Sequence, residues 1–245
     1  MKAEYRICKR CVMDSSDSAI SFVDNVCDHC ITFDKDIAPV WNYGQGREKQ
    51  LKEIVGSIKK SGKDKEFDCI LGMSGGVDSS YLLHLVTKKL GLRPLVFHVD
   101  AGWNSQIAVN NIERLIDGLG LDLYTEVIDW KDMKNLQKAY FRSGVPHIDT
   151  PQDHAFFATM YKFADKHKVK NIITGGNYST ECVRNPKEWM YYQSDSIQLR
   201  DIAKKFSDAP VRNYPITNIM WHKIYLPYFK GINLHRLLDF MPYNK

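Results

Sequence analysis

The sequence predicts a doubly wound parallel α/β sheet carrying a small N-terminal four-cysteine zinc ribbon. Three observations lead there. Short apolar runs at 67–73, 94–99, 122–128 and 169–174 alternate with segments of helical period, as in a parallel sheet covered on both faces. The first run enters Ser74-Gly75-Gly76-Val77-Asp78-Ser79-Ser80 directly, which has the form of strand, tight turn and helix start. Two Cys-x2-Cys pairs, Cys8/Cys11 and Cys27/Cys30, stand fifteen residues apart near the N-terminus. A chain of 245 residues can bury one substantial core with a small appendage. The expected division is 1–45 ribbon and linker, 46–215 α/β domain, and 216–245 the start of a C-terminal segment.

The cysteine quartet comes first in the chain. Each Cys-x2-Cys knuckle can turn two thiolates toward one ion, and the spacing suits a closed tetrahedral zinc site with no position left for a catalytic water. The stretch between the knuckles has room for a hairpin with Ile20, Phe22 and Val23 as its apolar strand. Disulfide pairing is the alternative, and a reducing compartment argues against it. His29 lies inside the second knuckle and reads as a bystander.

The 74–80 segment carries the clearest chemistry. Gly75 and Gly76 let the backbone turn sharply with N–H groups facing an anion. Ser79 and Ser80 open a helix with apolar residues at Tyr81, Leu82, Leu83, Leu85, Val86 and Leu90, whose first-turn N–H groups attract phosphate. Asp78 would repel a polyphosphate unless a cation stood between them, which predicts Mg²⁺ at Asp78. The segment is not a Walker loop, because no Gly-Lys-Ser or Gly-Lys-Thr follows. A plain helix-capping turn is the competing reading.

Further along, 94–99 reads as the second strand, 105–119 as a helix, 122–128 as the third strand and 131–142 as another helix. A long amphipathic helix spans 152–167, with Phe156, Phe157, Met160 and Phe163 on or near its buried side, and 169–174 is the fourth strand. Ligands of parallel sheets gather at the carboxyl ends of strands. The residues there are polar: the 74–80 loop, then His98, Asp100 and Asn104, then Gly175, Gly176 and Asn177, with Glu181 a turn later. His98 and Asp100 are candidates to bracket an adenosine, although Asp100 or Asn104 can equally cap a helix. Gly175 and Gly176 permit close approach to a ligand or simply make a turn. Glu181 is a candidate metal carboxylate or substrate contact. Thr150 or Asp149 starts the long helix with Pro151 in its first turn, and Asp153 and His154 then project toward the strand ends.

Of the other cysteines, Cys69 reads as a small buried hydrophobe and Cys182 as a candidate reactive thiol. The net charge of +5 suits anionic substrates and gives thin support to a nucleic-acid groove. No apolar run reaches membrane-spanning length, and the charged start of the chain does not resemble a secretory signal, so a cytoplasmic enzyme is expected. The aromatic segment 221–229 is a candidate partner or substrate surface.

The 74–80 loop resembles the pyrophosphatase loop of the ATP pyrophosphatase (adenine nucleotide alpha hydrolase-like, HUP-type) superfamily. That resemblance implies ATP held by Ser74, Gly75, Gly76, Ser79 and Ser80, and activation of a substrate oxygen as an adenylate. Four further stretches narrow the likeness: His98-Val99-Asp100-Ala101-Gly102-Trp103-Asn104-Ser105, Ala108 to Glu113, Pro151 to Ala158, and Gly175-Gly176-Asn177. With the cysteine quartet, they resemble the N-acetyl sugar amidotransferase family. That family converts an acetamido group of a nucleotide-linked sugar to an acetamidino group in bacterial surface polysaccharide (lipopolysaccharide, O-antigen and flagellin-sugar) pathways. The resemblance implies ammonia delivered by separate glutaminase and cyclase-like barrel subunits, and Asp153, His154 or Glu181 acting on sugar or ammonia. Known members usually run on past the point equivalent to 242–245, so a short form is expected. The rival readings are a tRNA-thiolating or tRNA-modifying ATP pyrophosphatase, and a nucleotide-binding zinc-ribbon scaffold.

Overall fold

The computed structural model describes residues 5–41, 45–181 and 191–243. Cys182 lies outside them. Fifteen strands and α-helices order the described residues. The first three are β1 (Phe22–Val23), β2 (Val26–Cys27) and α1 (Asp28–Thr32). The α/β part begins with α2 (Gln45–Gly62), β3 (Cys69–Gly72), α3 (Val77–His84), β4 (Pro94–Asp100) and α4 (Gln106–Leu119). It continues through β5 (Leu123–Val127), α5 (Trp130–Ser143), α6 (Thr150–Lys166) and β6 (Asn171–Ile173). Then come α7 (Tyr178–Glu181), α8 (Ser196–Phe206) and β7 (Asn233–His235).

The central sheet is parallel throughout, in the order β5-β4-β3-β6-β7. Successive side chains of a strand face opposite ways, and here they divide the core into two layers. Ile70, Phe97, Val99 and Ile172 face Met133, Leu136 and Tyr140 of α5, Met160 of α6 and Leu199 of α8. Cys69, Leu71, Val96 and Ile173 face Ile58 of α2, Leu82 and Leu83 of α3, Ile112 of α4, and Leu237 and Leu238. Helices therefore cover both faces, which confirms the doubly wound class. Cys69 is fully buried in this core, as a small hydrophobe, and burial pushes its thiol far above the usual range.

Capping sets the helix limits. Ser105 accepts the Ala108 N–H at 3.2 Å, Asp129 the Asp132 N–H at 3.0 Å, and Asp195 the N–H groups of Ile197 and Gln198. The α3 helix continues through a wider π-type turn at Leu85–Lys89. No helix among the described residues is long and apolar enough to cross a membrane.

The C-terminal segment adds to the sheet. Residues Asn233–His235 pair with Asn171–Ile173 as the fifth strand, and 237–240 pack onto the core beside α2. Trp221–Lys230 is helical, with Leu226 buried, while Tyr228 and Phe229 stand exposed.

In the ribbon, β1 and β2 form the expected hairpin, turned by Asp24 and Asn25 at φ of 51° and 61°. Two consecutive left-handed residues are what a type I′ turn requires. The Sγ atoms of Cys8, Cys11, Cys27 and Cys30 all lie within 4.8 Å of one another, with Cys8–Cys30 at 3.9 Å and Cys11–Cys27 at 3.6 Å. Tetrahedral zinc with Zn–S bonds of about 2.3 Å separates its sulfurs by roughly 3.8 Å, so the cluster fits the ion. The N–H groups of Cys27 and Arg10 point at the Cys8 sulfur. Burial raises the Cys8 thiol, but these backbone donors outweigh it and bring it down to about 6. Burial and the neighbouring thiols push Cys30 well up. Four sulfurs so crowded favour a shared dication over four separate protons. Cys27→Ser is expected to lower bound zinc from one equivalent to none and to reduce the melting temperature, read by elemental analysis and calorimetry. Full zinc retention would count against the four-sulfur site.

Candidate functional site

The strand order locates the site. The sheet reverses its direction of growth between β3 and β6, and the crevice at such a switch point is where open α/β sheets bind ligands. A cleft of about 700 Å³ opens there. Its walls include Ser74, Asp78 and Ser79 after β3, His98 and Asn104 from β4 and its following loop, and Gly175, Gly176 and Glu181 after β6. Asp153 and Phe156 of α6 and Arg236 after β7 complete it.

The loop after β3 is drawn tight. Ser79 Oγ receives the Ser74 N–H at 3.3 Å and lies 3.0 Å from Ser74 Oγ, while the Gly76 N–H reaches Ser74 Oγ at 3.3 Å. These long internal contacts preform a turn whose donors an incoming phosphate can take over. Gly75 adopts φ of 77°, and a Cβ there would stand 2.5 Å from the Ala108 carbonyl oxygen. Both the backbone angle and the space exclude a side chain. Gly75→Ala is therefore expected to destabilise the fold by about 1–3 kcal/mol and to weaken nucleotide binding, measured by denaturant unfolding and calorimetry. On the facing loop, a Cβ at Gly175 would lie 3.1 Å from the Ser79 amide nitrogen, so glycine keeps that helix-start donor accessible.

The remaining residues of this turn serve in different ways. Ser80 donates its N–H to the Gly76 carbonyl at 3.0 Å, closing the first turn of α3. Asp78 stands in the same turn, with the Tyr243 hydroxyl donating to Oδ1 and Thr180 Oγ1 3.5 Å from Oδ2. Asp78 is thus a hard oxygen donor beside the turn after β3, the kind of ligand Mg²⁺ takes.

Several expected contacts take structural places instead. Asp100 accepts the Gly102 N–H at 2.9 Å and an amide hydrogen of Asn104 at 3.1 Å, holding its loop rather than lining the cleft. His98 reaches the cleft as a buried ring: Nδ1–H donates to the Met73 carbonyl at 2.8 Å, and Nε2 accepts from Asn104 at 3.0 Å. Asn177 is buried and caps α7, accepting the Thr180 N–H at 2.9 Å, which sets the turn that carries Glu181. His154 does not project into the cleft. It is wholly buried, donating from Nδ1 to the Gln193 carbonyl at 2.7 Å and accepting the Thr217 N–H on Nε2 at 3.0 Å. Both ring nitrogens are committed, so the geometry leaves neither for a substrate. Its neighbour Asp153 points the other way, into the cleft, where Gln193 Nε2 donates to it at 2.8 Å.

Asp153 is the perturbed carboxylate of the cleft. Burial raises it, the charges of Asp149 and Glu181 add to the rise, and the Gln193 bond only partly offsets them, giving about 6. Such a group is poised to exchange protons near neutrality. Sequence reasoning missed Arg236 and Gln193. Arg236 follows a three-residue strand with no readable alternation, and its guanidinium is held by Asp239 at 3.0 Å and lies 5.1 Å above the Tyr178 ring. The cleft therefore combines an anion-seeking turn, an arginine and three carboxylates, Asp78, Asp153 and Glu181.

The chain is 27% identical over 169 residues to a GMP synthase [glutamine-hydrolyzing] of Thermosipho africanus (strain TCF52B). The match indicates the ATP pyrophosphatase superfamily. It covers 64% of this chain and 30% of the GMP synthase, so the chain spans less than a third of that relative. Among solved structures, an NH3-dependent NAD synthetase from Campylobacter jejuni subsp. jejuni overlays with a TM-score of 0.40 at 15% identity, over 54% of this chain and 58% of that one. An NMN synthetase from Francisella tularensis overlays with a TM-score of 0.41 at 18% identity, over 78% and 73%. No family model matches the chain.

Proposed function

We propose that this protein uses ATP to activate the carbonyl oxygen of an acetamido group on a nucleotide-linked sugar, and that ammonia then converts the group to an acetamidino group. The observation that carries the reading is the pairing of two features in one cleft: the Ser74–Ser80 turn with Asp78 at the switch point, and the Asp153 carboxylate with its affinity for protons raised to about 6. The N-acetyl sugar amidotransferase resemblance supplies the substrate class, and the similarity to a GMP synthase supports ATP use by this domain.

An amide carbonyl resists displacement of its oxygen by ammonia, so that oxygen must first become a leaving group. Its attack on the α-phosphorus of ATP breaks the α–β bridge, giving an O-adenylyl imidate and pyrophosphate, while the amide N–H proton passes to Asp153. Ammonia then adds to the imidate carbon, the carbon–oxygen bond breaks, and AMP leaves with the original amide oxygen. The backbone donors of the Ser74–Ser80 turn hold the phosphates that depart, and Arg236 counters the charge that develops on them. Asp78, with Glu181 as a candidate second carboxylate, would hold Mg²⁺, which would supply charge neutralisation on the phosphate oxygens. The ribbon's zinc is structural in this scheme, and ammonia comes from separate glutaminase and cyclase-like barrel partners.

The test is a reaction containing ATP, Mg²⁺, ammonium and nucleotide-linked diacetamido sugars with ¹⁸O in the acetamido carbonyl. An amidine product with the label in AMP is the expected outcome. Unchanged sugar together with ATP turnover stimulated by tRNA would replace this reading with the RNA-modifying one, and ATP binding without pyrophosphate release would leave a scaffold.

A further inference from the structure

A second cavity, of about 530 Å³, lies apart from the cleft residues, between α5 and the 208–213 loop. Lys131, Lys134 and Lys138 stand along one face of α5, at the three- and four-residue spacing that aligns helical side chains, and Arg212 faces them from the loop. The row from Lys131 to Lys138 is roughly 10 Å long at 1.5 Å per residue.

The groove is built rather than incidental. Asn135 clasps the loop from both sides, donating to the Ala209 carbonyl at 2.6 Å and accepting the Asp208 N–H at 3.0 Å. Buried Asp132 accepts the N–H groups of Arg212 at 2.8 Å and Asn213 at 2.5 Å. Three carboxylates line the cavity, and each is engaged within the protein. Asp129 caps α5, Asp132 holds the loop, and Asp208 pairs with Arg142 at 2.5 Å. Lys138 also lies within the electrostatic reach of Asp208. Among the described residues no hydrogen bond or ion pair engages the Lys131, Lys134 or Arg212 side-chain cations. A preformed cavity of small-molecule size, walled on two sides by uncommitted cations, is a site for a compact polyanion.

We infer that this groove binds a diphosphate group, as free pyrophosphate or as part of a nucleoside diphosphate, at a site distinct from the catalytic cleft. The inference is independent of the proposed reaction, since it rests on the α5 groove alone. A diphosphate matches the volume and the short row of lysines with Arg212 opposite better than a nucleic acid, which needs a longer basic track. The loop also continues toward the cleft wall: the Tyr214 hydroxyl donates to the Pro151 carbonyl, and the Thr217 N–H reaches His154, both on the first turns of α6, which carries Asp153.

The experiment is calorimetric titration of the whole protein at low ionic strength without ATP, since a polyphosphate analogue would itself occupy a diphosphate groove. Inorganic pyrophosphate and UDP are titrated separately. Binding with affinity that falls as salt rises is expected, and Lys134→Gln/Arg212→Gln is expected to weaken one equivalent of it about tenfold or more. Both positions are exposed, so the variant should keep the parent melting temperature. Equal affinity for both probes would assign recognition to the diphosphate alone, and tighter UDP would assign it to a nucleoside diphosphate. No binding of either anion, binding unchanged in the double variant, or binding of an RNA hairpin without either small anion would overturn the inference.

Discussion

Asp78→Ala is expected to lower pyrophosphate release by about 10²–10³-fold while leaving the fold intact, because it removes the carboxylate that would place a cation between the turn and the phosphates. The structural cost is small. An acidic side chain in the first turn of a helix contributes about 0.3–1 kcal/mol through the helix dipole, and the variant also removes the acceptor of the Tyr243 hydroxyl, one hydrogen bond among many in the fold. Burial and the Asp78 charge push the Tyr243 phenol up to about 12, so it remains a donor throughout the working pH range. Tyr243→Phe is accordingly a milder variant that frees one carboxylate oxygen without removing it. The deciding measurement is single-turnover pyrophosphate release across a Mg²⁺ series, with circular dichroism to verify the fold. An Asp78→Ala protein that turned over at the parental rate would remove Asp78 from the mechanism.

The legible parts of this molecule are those in which local chemistry and global position agree. The β3–turn–α3 unit was readable because an apolar run, two glycines and a helix start each demand the same geometry, and the cysteine quartet because four thiols at that spacing have one economical arrangement. Adjacent residues on one helix were not separable. Asp153 and His154 both sit on the α6 turn facing the strand ends, but which side chain enters the cleft depends on what packs against the turn, and the partners of His154 are 39 and 63 residues away. Asp100 and Asn177 spend hydrogen bonds on their own turns for a related reason, since a loop beside a cleft needs its own polar groups closed before it can hold anything else. The strand β7 left no signal because three residues, Asn-Leu-His, cannot display a period, and Arg236 was lost with it.

The second large effect is expected at Asp153, and it runs in opposite directions for activity and stability. With its ionisation near pH 6, Asp153 is the charged base above that pH, so turnover should fall as pH drops through about 6. Asp153→Asn should lose about 10²–10⁴-fold in rate and flatten that limb of the profile. The stability sign follows from proton counting. Between the ordinary carboxylate range and about 6, the folded protein holds this proton and the unfolded chain has released it, so folding stability declines as pH rises through that window. Asparagine removes the buried charge and keeps a partner for Gln193, so the variant should melt higher than the parent at pH 7 to 8 and converge with it near pH 4. A variant that is slower but more thermostable above neutrality places the cost of burying Asp153 in the service of the reaction. If activity were lost without a gain in stability, Asp153 would be a structural acceptor for Gln193, and the base would have to be sought at Glu181 across the same cleft.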